Sequence, residues 1–270
     1  MKFFDSHVHF FPDKLAGKAL PQLSRTCGCP YYSDGTKAGT LAKMEAWQGE
    51  NSFAGAMALH IATSPRQQAA VNNFAAQSQQ GKLFCFGSVF PTAPDALEEM
   101  ERIKALGLHG VKLHPDYQAF FIEDPCALPL YAQAEKLGLP VAFHTGRDPY
   151  SPYLVHCHPA AVARVARRFP GLTIIAAHMG GMEQPEDAAK YLCGQENVYF
   201  DTAFASRFLT PEQFTKLARL HGPERVLFAT DCPWSTVPEE IALLGAAELT
   251  EEERENIAWK NAARLFHLDI

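Results

Sequence analysis

Short apolar runs alternate with stretches of helical spacing along the whole chain. The runs Phe3–His7, Ala54–Ile61, Leu83–Val89, Gly110–His114, Val141–His144, Thr173–His178, Val198–Asp201 and Val226–Thr230 are candidate strands. Most are rich in β-branched, aromatic or small apolar residues, which suit a pleated, buried surface. The stretches between them carry the other period. In Pro159–Phe169, Val162, Val165, Ala166 and Phe169 fall on one helical face, with Arg164, Arg167 and Arg168 mostly elsewhere. Ser64-Pro65, Asp124-Pro125 and Thr210-Pro211 read as helix starts, because a capping side chain precedes a residue whose φ is already helical. Eight strand-then-helix units predict a parallel sheet long enough to close, a (β/α)8 TIM barrel in one domain spanning residues 1–270. A doubly wound open sheet is the alternative, but no glycine-rich phosphate loop follows the first strand. The longest irregular stretch is expected over about Leu20 to Gly39, above the active face. A last helix, Glu251–Phe266, is expected against the barrel's outside or bottom. The charge run Glu251–Glu255 reads as its solvated face.

Composition narrows the classes of function. The chain has 270 residues, 47% apolar, with a formal net charge of −6, so the concentrated positive charge that nucleic acid or an anionic membrane demands is missing. No apolar run is long enough to span a bilayer. The N-terminus MKFFDSHVHF is broken by Asp5, His7 and His9 and does not read as a signal peptide. Seven scattered cysteines, with Cys27 and Cys29 the close pair, fit reduced thiols in a cytoplasmic protein better than a disulfide framework or zinc finger. The expected partner is a small molecule, and a homodimer is compatible with the sequence.

The histidines carry the chemistry. His7 and His9 close the first strand, and residues two apart on a strand point the same way. His144 ends the fifth candidate strand, His178 the sixth and Asp231 the eighth. In a barrel all five meet at the C-terminal mouth, where such folds place their active sites. One histidine in an apolar strand is more often a hydrogen-bonded core residue than a ligand. Five such residues at the ends of converging strands predict a metal site, and imidazoles with a carboxylate suit Zn²⁺, with Mn²⁺ also acceptable.

The motifs DSHVHF at 5–10, GVKLHP at 110–115, FHTG at 143–146, RRFPGLTIIAAHMGG at 167–181, ATDCP at 229–233 and NAARLF at 261–266 occur in one order along nearly the whole chain. In these the chain resembles the amidohydrolase superfamily. It resembles specifically the amidohydrolase 2 branch, which includes aminocarboxymuconate semialdehyde decarboxylase-like and pyrone dicarboxylate lactonase-like enzymes. The resemblance implies a TIM barrel with the HxH pair, the two later histidines and the last aspartate around one divalent metal. It also implies that His178 is often a catalytic or orienting group rather than a firm ligand.

Roles follow from metal chemistry. Asp231, a carboxylate beside a cation, stays ionised and is the candidate base, and His178 stands in both the ligand and the catalytic role. Lys112 and His114 share a face of the fourth strand. Some superfamily members carbamylate a lysine there to bridge two metals; the alternatives are an uncarbamylated polar group for substrate or an ion-paired structural lysine. Arg147, in HTGRDP, is a candidate bidentate partner for a substrate carboxylate, against a salt bridge to Asp148 or another loop acid. Arg207 is a weaker candidate. Trp234 either walls the pocket or covers the core. The expected activity is a hydrolase opening an amide, lactone or ester-like bond of a small carboxylated molecule, because the chain is shorter than many decarboxylase members. A non-oxidative decarboxylase on the same scaffold is the alternative.

Overall fold

Strand pairing follows the apolar runs, but each ladder is shorter than its run. The computed structural model describes residues 1–270. Its strands are β1 (Lys2–Val8), β2 (Ser52–Leu59), β3 (Leu83–Phe86), β4 (Val111–Leu113), β5 (Val141–Phe143), β6 (Ile174–Ala176), β7 (Val198–Asp201) and β8 (Val226–Leu227). All pairs are parallel and sequential, β1 to β3 in one ladder and β4 to β8 in the next. Two seams close the barrel. Lys112 N donates to Gly87 O at 2.8 Å, and Val8 bridges Cys232, where Asp231 N donates to His7 O at 2.9 Å.

The core divides as a barrel requires. Phe4, Met57, Phe86, Ala142, Ile175 and Leu227 form an inner cluster. Their strand neighbours, such as Phe3, Val111, Val141, Phe143, Ile174 and Ala176, join the larger cluster under the helices. Lys112 takes the inward parity between Val111 and Leu113, so a buried ammonium faces the axis. On β1 the parity changes. Phe4 points inward and so do His7 and His9, which simple alternation forbids. The register against β2 shifts between Asp5 and Val8, and this bulge re-aims the histidines.

The chain carries α1 (Asp13–Cys27) and α2 (Lys37–Trp47) after β1, and further helices after the other strands. The stretch expected to be irregular from Leu20 is helical as far as Cys27 despite Pro21, and only Gly28–Thr36 lacks regular structure. Burial of Ala16 and Leu20 outweighs the hydrogen bond that Pro21 cannot donate. Thr210 caps its helix in a full capping box. Asp124 does not begin one; its Oδ2 accepts from Phe121 N, and the helix starts at Leu128. The C-terminal helix runs Glu251–Phe266 with a π-helical segment at Asn256–Lys260. It seals the barrel's bottom, since Phe228 N donates to Ile257 O, and Ala262 and Phe266 pack on the inner cluster. All seven cysteines are free. No helix is long and apolar enough to cross a membrane.

Candidate metal centre and substrate cavity

The site residues lie at or just beyond the strand ends rather than inside the strands. His144, His178 and Asp231 follow β5, β6 and β8 where the chain leaves the ladder. His178 and Asp231 adopt φ of 59° and 65°, a left-handed conformation that costs a residue with a Cβ about 1–3 kcal/mol. Surrounding bonds hold it. His178 N donates to Asp201 Oδ1 at 2.9 Å, and Asp231 N is held by His7 O. Gly146, at φ 94°, lets the β5 loop run against Met182, whose backbone N would lie 2.2 Å from a Cβ there.

Each imidazole has one nitrogen tied down outside the centre and one turned into it. His7 Nδ1 bonds Asp201 Oδ2 at 2.9 Å, His9 Nδ1 donates to Leu59 O at 2.8 Å, and His178 Nδ1 donates to Ala203 O at 2.9 Å. His144 is held by its other nitrogen, Nε2, which donates to Arg147 O at 3.0 Å. A neutral ring has one N–H, so the nitrogens left facing inward are lone pairs. His7 Nε2 and His9 Nε2 stand 3.0 Å apart, and Asp231 Oδ1 is 3.4 and 3.2 Å from them. His178 Nε2 and His144 Nδ1 also meet at 3.0 Å. Acceptors so close, with their ring protons spent elsewhere, repel one another unless a cation lies among them. His7, His9 and Asp231 bring their ligand atoms within 4.8 Å of one another and fit a divalent ion, with His144 and His178 beside that group rather than in it, and the outer partners fix the tautomers that metal binding requires.

Electrostatics agree. Burial and the neighbouring Lys112 ammonium hold His7 well below its ordinary pKa, and burial with His144 lowers His178 to about 4, so both rings are neutral. Burial alone would raise Asp231; its drop to about 2 comes from donation by His9 and positive charge on His7, His9 and His178, the charge that a bound cation would supply in place of neutral rings. Burial brings Lys112 down to about 8 against the pull of Asp201 and Asp231, with Nζ 3.4 Å from His7 Nε2.

A second cluster, His114, His144 and Asp148, lies alongside. It is built differently. His114 Nδ1 accepts from Tyr117 N, which leaves its proton on Nε2, 3.5 Å from Asp148 Oδ2, and His144 Nε2 is 3.3 Å from the same oxygen. The His144 Nε2 proton is already given to Arg147 O, and Asp148 stands as an acid beside both rings.

The centre floors a cavity of about 710 Å³. His7, His9, Lys112, His114, His144, His178, Asp231 and Trp234 all line it, beneath apolar walls that include Phe10, Phe11, Leu23, Phe74 and Phe204. Helix α1 supplies one wall. Two sequence candidates are not brought in. Arg147 is exposed and lines no part of the cavity, because the loop after β5 turns it to solvent; its backbone carbonyl is what serves the site. Arg207 pairs with Glu239 at 2.8 Å on the surface. Cys27 and Cys29 line the cavity and join no metal-ligating group. Sequence reading missed Asp201, although an acid at the mouth end of a barrel strand is itself a signal. It also missed Asp148 as a cavity acid beside His114 and His144.

Comparison with known proteins agrees with this geometry. The chain is 26% identical over 209 residues to 2-amino-3-carboxymuconate-6-semialdehyde decarboxylase of Dictyostelium discoideum, covering 64% of this chain and 58% of that relative. It is 25% identical over 227 residues to gamma-resorcylate decarboxylase of Rhodococcus jostii (strain RHA1), covering 65% of this chain and 68% of that one. Its fold matches 5-carboxyvanillate decarboxylase of Novosphingobium aromaticivorans, solved with manganese and 4-hydroxy-3-methoxy-5-nitrobenzoic acid. The TM-score there is 0.73 at 15% identity, over 98% of this chain and 96% of that one. Residues 4–268 match the profile of the amidohydrolase family (Amidohydro_2), and the chain belongs to that family.

Proposed function

We propose that this chain is a metal-dependent, non-oxidative decarboxylase of a small, flat carboxylic acid, holding one zinc or manganese ion on His7, His9, His144 and Asp231. The likeness to two decarboxylases carries the reading. The length argument for hydrolysis is outweighed, since both relatives matched in sequence are decarboxylases.

The cavity chemistry supports the same conclusion. When bound, the ion supplies Lewis-acid stabilisation of negative charge on substrate oxygens. The aromatic walls strip water from a bound carboxylate. Lys112 is the only lysine or arginine in the lining, so it replaces Arg147 as the cation that meets a substrate anion. The carbon that loses CO2 keeps the bonding electron pair and must gain a proton. Asp231 is anionic at rest, so it first takes a proton from a substrate hydroxyl or water and then returns it to that carbon. His178, neutral and fixed through Ala203 O, positions the reacting group beside it.

The test is a panel of hydroxylated benzoates, conjugated amino acids, lactones and amides offered to the metal-loaded protein. Product analysis follows CO2 release against ring opening. CO2 release that stops on chelation and returns with Zn²⁺ or Mn²⁺ is the expected result. Ring opening or amide cleavage without CO2 would replace this reading with the hydrolase, in which Asp231 takes its proton from the attacking water.

A further inference from the structure

One polar group in the cavity wall has no partner and no part in the chemistry above. His60 follows β2 directly, one residue beyond Leu59, whose carbonyl orients His9. It is 7% exposed, and that remaining surface opens on the cavity. Its Nε2 is enclosed with no hydrogen-bond partner, and no protein group pairs with Nδ1. Every histidine of the metal centre has at least one nitrogen bonded to the scaffold, whereas His60 has neither.

The ring is nonetheless held firmly. Phe10 and Phe74 meet it edge to face at 5.0 and 5.3 Å, with interplanar angles of 86° and 76°. Both phenylalanines also line the cavity. Burial lowers the His60 pKa to about 3, so the ring is neutral at physiological pH and carries one N–H. A buried N–H without an acceptor costs free energy, and a leucine or phenylalanine would fill this apolar wall without that cost. Nε2 is enclosed and Nδ1 is not, so the proton is assigned to Nδ1, the nitrogen able to meet a ligand.

We propose that His60 is a specificity-determining residue whose ring N–H donates to an oxygen substituent on a planar substrate lying against the wall that Phe10 and Phe74 form. This rests on the decarboxylase reading for the substrate class, an aromatic or conjugated acid, and adds that the preferred acid bears a hydroxyl or carbonyl oxygen away from the reacting carboxylate. The pairing is selective because an unsubstituted ring leaves the His60 proton unpaired, while the phenylalanines contact either ring equally.

The experiment measures binding by calorimetry to the Mn²⁺-loaded full chain, with benzoate and its three monohydroxy derivatives as probes. In the wild type at least one monohydroxybenzoate is expected to bind about tenfold more tightly than benzoate, as a satisfied buried donor implies. His60→Phe, which keeps the aromatic wall and deletes the donor, should bring that ratio to near one. His60→Gln, which restores an N–H, should recover part of it. His60→Leu serves if the phenylalanine variant does not fold. The inference is overturned if no probe binds, if the wild type shows no preference, or if the preference survives in a folded variant lacking the donor. The two proposals fail separately. Loss of the preference in His60→Phe, with ring opening or amide cleavage without CO2 in the wider panel, keeps the subsite and removes the decarboxylase; CO2 release with an unchanged preference does the reverse.

Discussion

Asp201→Asn isolates the part of the metal centre that lies outside the ligands. Asp201 Oδ1 accepts from the backbone N of His178 at 2.9 Å and of Ala203 at 3.2 Å, while Oδ2 holds His7 Nδ1 at 2.9 Å. An asparagine must keep its oxygen where the two backbone N–H groups converge, so its NH2 falls opposite His7 Nδ1. Two donors then face each other in a fully buried contact. His7 escapes by moving its proton to Nε2, the nitrogen that must stay bare to bind the ion. Loss of such an outer partner costs about 10- to 100-fold in metal affinity, or about 1.4–2.7 kcal/mol. Forced tautomer reversal puts this variant at the upper end of that range, and Asp201→Ala, which removes the acceptor without adding a donor, lower. Chelator competition with Zn²⁺ and with Mn²⁺ reads the affinity, and circular dichroism with thermal melting checks the fold. An Asp201→Asn protein that is folded and binds metal like the wild type would refute the tautomer argument, and with it the claim that β7 controls the centre.

Two further outcomes follow from the same geometry. Asp231→Asn should lower kcat by about 10²–10⁴-fold, the range for a lost proton-transfer group, while metal content falls much less; if metal and activity vanish together, Asp231 is first a ligand and His178 moves the proton. Glu240 is buried, and burial pushes its carboxyl up to about 8 although Ser206 and Ser235 donate to it. Its folded pKa lies above the ordinary carboxylate value. The unfolded chain therefore loses this proton first, and the stability it confers falls as pH rises from about 4.5 towards 8. Denaturation midpoints of the wild type should decline relative to Glu240→Gln across that window, and parallel curves would show that Glu240 is ionised throughout.

Much of this molecule was legible along the chain because barrel strands obey a local rule. A strand covered on both sides must be apolar nearly throughout, so the eight runs stood out, and chemistry confined to the mouth placed His7, His9, His144, His178 and Asp231 at their ends. Other features depend on contacts distant in sequence. The β1 bulge that turns His7 and His9 inward follows from the register against β2, and no alternation of residue types records it. Arg147 and Asp148 are neighbours in one loop, yet backbone pairing between that loop and Met182 leaves the arginine in solvent and the acid inside. Whether a buried polar group is satisfied is likewise decided only by packing. Asp201 reaches His7 across 194 positions, and His60 finds no partner, because hydrogen bonding is set by which atoms the closed barrel brings within 3 Å.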